Sequence, residues 1–111
     1  MGKLTDRLSQ ILWDEVIGRD EVHIKTLDMD NVRRFFMRAA GENAKVFRCG
    51  LKIEPKGNHY VITQLMLDKE GKVLRDGSDF YVGRQIYAEQ LDDSVIEFMA
   101  GKTLRLMDLP Y

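Results

Sequence analysis

The chain has 111 residues, 44% hydrophobic and 32% charged, with a net charge of −1, a composition that supports one globular domain, residues 1–111, and excludes wholesale disorder. The near-neutral total gives no global pull toward nucleic acid or an anionic membrane. A single cysteine and two histidines exclude an internal disulfide and offer no structural zinc cluster.

No signal peptide and no long apolar run stand in the sequence, so the expected compartment is the cytoplasm, with no membrane association. Neither a metal nor a cofactor is expected. Charge is unevenly spread. Residues 1–32 carry a net −3, residues 33–57 a net +5 and the remainder a net −3. Such a dipolar chain suits self-association or intramolecular pairing.

Leu4, Leu8, Ile11, Leu12, Val16 and Ile17 recur at helical spacing and predict a first helix over residues 5–18. Trp13 sits beside that stripe, where it suits the edge of a core better than the alternative, an anchor for a partner. Residues 21–25 alternate briefly and suggest a short strand. Asp28 or Asp30 can cap a second helix running to Ala40, with Val32, Phe35, Phe36 and Ala39 on one face.

Residues 45–67 then read as a β-hairpin around a polar turn, Glu54-Pro55-Lys56-Gly57-Asn58. Phe47, Cys49, Leu51 and Ile53 alternate on one limb; Val61, Thr63, Leu65 and Leu67 alternate on the other. Pairing Ile53 with His59 would put both sets on one face. Residues 68–72 look like a three-residue loop with Gly71 left-handed, leading to a short strand at 72–75.

Asp76-Gly77-Ser78-Asp79 is turn chemistry. Residues 80–88 read as a strand, apolar on both faces except at Arg84 and Gln85. Ser94 and Glu97 form a capping box for a short helix stopped by Gly101, and residues 103–107 supply a last strand. The fold expected is α+β: a single antiparallel sheet, a meander of four to six strands, with two or three helices mainly on one face.

Catalytic constellations are sparse. Cys49 falls on an apolar strand face, where a thiol acts as a small hydrophobe; His23 and His59 read as solvated. Asp92-Asp93 and the Asp76/Asp79 pair are explained by turns and helix caps, and the stretch from Asp68 to Asp79 has acids and Gly71 but lacks the ligand spacing of a calcium loop. Gly101-Lys102-Thr103 lacks the glycine and the context of a phosphate loop. A non-catalytic protein is expected.

Two surfaces remain. The hairpin register above sends Val46, Arg48, Lys52, Tyr60, Ile62, Gln64 and Met66 to the outer sheet face, too apolar a set for a solvated surface. Coverage by the first helix, by another subunit, or by a ligand would account for it, and Val46, Tyr60, Ile62 and Met66 are the candidate partner-binding residues. The second surface is basic: Arg33, Arg34 and Arg38 on the second helix, with Arg48 and Lys52 beside Tyr60, a pattern that single-stranded nucleic-acid binders use.

The function expected is a small cytosolic interaction or regulatory protein working through protein–protein contact, possible homodimerisation included, of a size that suits a phage or mobile-element accessory protein. The alternative is nucleic-acid or anionic-ligand binding through the basic segment 33–57.

Overall fold

The computed structural model describes residues 21–75 and 81–109; the expected first helix, Trp13 and the turn at 76–79 lie outside the described residues. The element order is β1 (Glu21–Leu27), α1 (Met29–Glu42), β2 (Arg48–Lys56), β3 (His59–Leu67), β4 (Gly83–Leu91), α2 (Asp93–Met99) and β5 (Leu104–Asp108). The five strands form one sheet in the order β1-β4-β3-β2-β5. The fold is α+β, as expected, but the sheet is mixed: β1 runs parallel to β4, and the other pairings are antiparallel. A parallel partner requires a crossover rather than a tight turn, and α1 begins that crossover directly after β1.

The hairpin register differs from the sequence expectation. Lys56 faces His59 and Ile53 faces Ile62, so the turn is two residues long rather than five. Gly57 takes φ +65° there while Asn58 does not, the sign pattern of a type II′ turn, which favours glycine first. Pro55 continues the strand. The Ile53 N–H points toward the β5 side, bonding to the Thr103 carbonyl, and the Pro55 nitrogen shares that side, beyond the β5 pairing that ends at Lys52 and Leu104. Its missing N–H therefore breaks no ladder bond.

The shift is three positions, an odd number, so it moves every β3 side chain to the opposite face. Cys49, Leu51 and Ile53 share a face with Tyr60, Ile62, Gln64 and Met66, and not with Val61, Thr63, Leu65 and Leu67.

Both helices pack on that first face. The larger core cluster joins Met29 and Val32 of α1, Val95 and Met99 of α2, and Leu51, Ile62, Ile86 and Ala88 of the sheet. A second cluster gathers Phe36, Ala39, Val46, Cys49, Met66 and Leu74. On the other face Leu65 and Leu67 are also fully buried, with Val73, Tyr81, Leu104 and Leu106 against them.

The caps follow local chemistry. Asp28 caps α1 by accepting from the Asn31 N–H at 2.8 Å. At α2 the cap is Asp92 rather than Ser94: its carboxylate accepts from both the N–H and the hydroxyl of Ser94. The Ser94 Oγ in turn accepts from the Met29 N–H at 3.1 Å, tying the two helix starts together. Gly71 has the expected positive φ, +84°. The short strand expected at 72–75 is reduced to isolated bridges, Leu67 with Val73 and Arg75 with Tyr81.

Candidate anion-binding site

Where α1 crosses the sheet, a polar thread runs through the core. Gln64, fully buried in β3, donates from Nε2 to the Val32 carbonyl at 3.0 Å and to Cys49 Sγ at 3.3 Å. Its Oε1 accepts from Arg84 Nε at 2.9 Å. Arg84 Nη2 then donates to the Asn31 carbonyl at 3.3 Å and to Asn31 Oδ1 at 2.7 Å. The guanidinium carbon lies 4.3 Å from the centre of the Phe35 ring, a cation–π contact.

Backbone placement makes this possible. Gln64 and Arg84 are directly paired across β3 and β4. Gly83 comes just before, and a Cβ there would be driven into the Gln64 carbonyl oxygen, so the absence of a side chain lets β4 approach closely. On α1, Asn31, Phe35 and Arg38 follow at i, i+4 and i+7, one stripe of the helix along its seam with β4.

The electrostatics of the seam are unusual. Burial pulls the Arg84 guanidinium down to about 10, the Cys49 thiol opposes that fall and the cationic Arg38 adds to it. Arg84 is still charged at neutral pH, yet its partners are an amide and an asparagine. Among the described residues it has no carboxylate, and its Nη1 hydrogens have no acceptor. Burial likewise pushes the Cys49 thiol up to about 12, against smaller opposing effects from Gln64 and Arg84. A thiol held that far up carries no thiolate at neutral pH and is no nucleophile.

The expected partner-binding residues take other places. Ile62 and Met66 are 0% exposed and Val46 is 4% exposed, all three in the core beneath the helices; only Tyr60 is partly accessible. The outer-face assignment is corrected: the odd register shift turned the β3 side chains Ile62 and Met66 inward, while Val46, ahead of β2 and outside the strand pairing, packs with Phe36 and Ala39 of α1.

The basic residues are divided. Arg33, Arg34 and Arg38 lie exposed on α1, whereas Arg48 and Lys52 point to the opposite sheet face. There Arg48 pairs with Asp108 at 2.6 Å and Lys52 with Glu54 at 2.8 Å. No single surface joins all five. Sequence reasoning puts Gln64 on the outer sheet face, whereas it is buried beneath α1; it does not single out Asn31, and the only signal for Arg84 is the polar break at Arg84 and Gln85 in an otherwise apolar strand.

A separate cleft of about 400 Å3 opens at the hairpin tip, lined by His23, Lys25, Asn58, His59, Tyr87 and Glu89 among others. His23 stacks on Tyr87 with ring centres 4.9 Å apart, and His59 lies 5.9 Å from the same ring, tilted. Among the described residues no group of three or more His, Cys, Asp or Glu is placed to hold a metal ion. No helix among them is long and apolar enough to cross a membrane.

No protein-family model, curated protein or solved structure matches this chain.

Proposed function

We propose that this chain is a small, non-catalytic interaction protein whose contact surface is the outer side of α1, and that its partner presents an acidic protein segment. The observation that carries this reading is the make-up of that helix face. Arg33, Arg34 and Arg38 are exposed, and the ion pairs among the described residues are formed by other cations. Met37 stands among them at 50% exposure. Arginine and methionine are two residues that protein interfaces favour, and uncompensated cations steer an acidic partner toward a docking face.

A nucleic-acid reading loses its second half in this geometry. Arg48 and Lys52 lie across the sheet with acidic neighbours, so among the described residues the five cations form no continuous basic track. Backbone-binding proteins depend on such a track. The un-ionised Cys49 thiol supports a non-catalytic role.

Charge reversal at Arg33 and Arg34 tests the reading. Wild type and the R33E/R34E variant, with matched thermal melts, are used to capture partners from the native host, followed by mass spectrometry. The expected result is an acidic partner retained by wild type at low salt and lost from the variant. Equal capture by both would overturn the assignment of the surface. Oligonucleotide binding whose log affinity falls linearly with log salt would overturn the choice of partner.

A further inference from the structure

We propose that the seam between α1 and β4 is an oxyanion site, in which Arg84 and Arg38 together hold one dianionic phosphate group, free or esterified. It goes beyond the interaction surface above: Arg38 borders both, but Arg84 belongs to this site alone and Arg33 and Arg34 to that surface alone.

The argument begins with Arg84. Its Nε and Nη2 edge is fixed by Gln64 Oε1 and by both oxygens of Asn31. Its plane rests against Phe35. A guanidinium has five N–H donors in a rigid fork, and three are accounted for here. The remaining two, both on Nη1, have no acceptor among the described residues. The fork is thus oriented in advance, and little ordering entropy is left to lose when a ligand arrives.

The second cation is Arg38, three residues beyond Phe35 on the helix stripe whose Phe35 ring carries the Arg84 guanidinium, and it lowers the ionisation of Arg84 slightly. Two like charges along one seam, one of them partly buried, disfavour each other in the unliganded protein. A bound anion removes that repulsion and restores the missing acceptors. Two positive charges match a phosphate monoester, which carries about −1.5 to −2 at neutral pH, better than a single carboxylate. Charge-assisted bonds of this kind are the stronger class of hydrogen bond.

Calorimetric and arginine-Nε NMR titrations with sodium phosphate, O-phosphoserine and acetate, each against sodium chloride at matched ionic strength, test the site. Phosphate should bind saturably, shift the Arg84 Nε resonance and outcompete acetate. R38Q lies on the exposed helix face, keeps the fold, and should weaken phosphate binding by roughly tenfold or more, as loss of a charge-assisted bond does. R84K, which keeps the charge but loses the fork, should weaken it similarly. R33E/R34E should keep saturable phosphate binding, so the interaction surface and the oxyanion site can fail independently.

Tighter binding of O-phosphoserine than of inorganic phosphate marks an esterified ligand, and the reverse marks the free ion; both support the site. Absence of saturable binding to wild type, an equal response to chloride, or an undiminished affinity in R38Q would overturn it. Should R84K fail to fold, the R38Q affinity and the Arg84 Nε shift decide the outcome.

Discussion

Arg84 Nε donates a 2.9 Å hydrogen bond to Gln64 Oε1 in the middle of the sheet, and no carboxylate among the described residues shares the cation with it. A buried amide, not an acid, holds this charge. Replacing Gln64 with leucine keeps the volume but leaves Arg84 Nε without its partner, while the Val32 carbonyl, inside α1, keeps only its helical bond. The expected loss is about 1–3 kcal/mol, the cost of stranding buried polar groups. Urea denaturation measures it. A neutral or stabilising Gln64→Leu would show that the amide is dispensable and that the seam is an ordinary apolar core.

The observed hairpin register makes its own prediction. Ile62 faces Ile53 beneath the helices and is fully buried. Ile62→Ala should cost roughly 2–5 kcal/mol, as large-to-small core changes do. Lys56→Ala, next to the turn and exposed, should stay within about 0.5 kcal/mol of wild type, as surface changes usually do. Chemical denaturation giving Ile62→Ala a near-wild-type midpoint would return that side chain to the solvent face.

Much of the fold could be read from the chain, and the parts that could not have physical causes. The α1 helix was legible because Asp28 and the Val32, Phe36, Ala39 spacing act locally. The left-handed Gly71 was legible because the loop around it needs few residues to define it. The hairpin existed in the pattern, but its register did not. Both β3 alternation sets are apolar, so hydrophobicity favoured neither face, and Pro55 resembled a turn residue until β5 was known to end before it. The parallel β1–β4 pairing depends on residues 64 apart, such as His23 and Tyr87. The candidate site was half legible. Arg34 and Arg38 were visible as a basic helical pair, but Arg84 gains its role from Asn31 and Gln64, which only the assembled sheet brings to it.

Cys49 gives a pH prediction of definite sign. Its folded pKa is raised from 9.0 to about 12, so the folded protein holds the thiol proton more tightly than the unfolded chain. This contribution to stability is complete below about pH 9 and is lost as pH rises toward 12. The slope is roughly 1.4 kcal/mol per pH unit across that window. Arg84 acts in the opposite direction at the alkaline end, since its folded pKa is lowered to about 10. The informative quantity is therefore the difference between wild type and Cys49→Ala: wild type should lose stability more steeply between pH 9 and 10.5. Native Cys49 should also react slowly with thiol reagents at neutral pH. Rapid labelling, or parallel pH profiles for the two proteins, would contradict the buried, hydrogen-bonded thiol.

Asp92 predicts the acid limb. Hydrogen bonds from the Ser94 hydroxyl and the Ser94 N–H hold its carboxyl below the usual range. A depressed carboxylate contributes stability that is present above its unfolded pKa and lost as pH falls through the folded value. Asp92→Ala should lower the Tm at pH 7 and narrow the gap to wild type as pH drops below 4. Thermal melts from pH 7 to pH 2 check this, and a gap that stays constant with pH would remove the ionised cap.

The parallel seam between β1 and β4 bears on how the molecule comes together. The β2–β3 hairpin closes across two residues, and β4 adds to it after a short excursion, so these contacts cost little loop entropy. Strand β1 has no partner until β4 is in place, some sixty residues later in the chain. Contacts of such long sequence separation slow folding and form late. The hairpin then acts as the nucleus, and β1 docks late together with β5, whose partners in β2 also lie more than fifty residues away. Substitutions in β1 should mainly speed unfolding, those between Ile53 and Ile62 mainly slow folding, and amide exchange should open the β1 edge before it reaches the centre of the sheet.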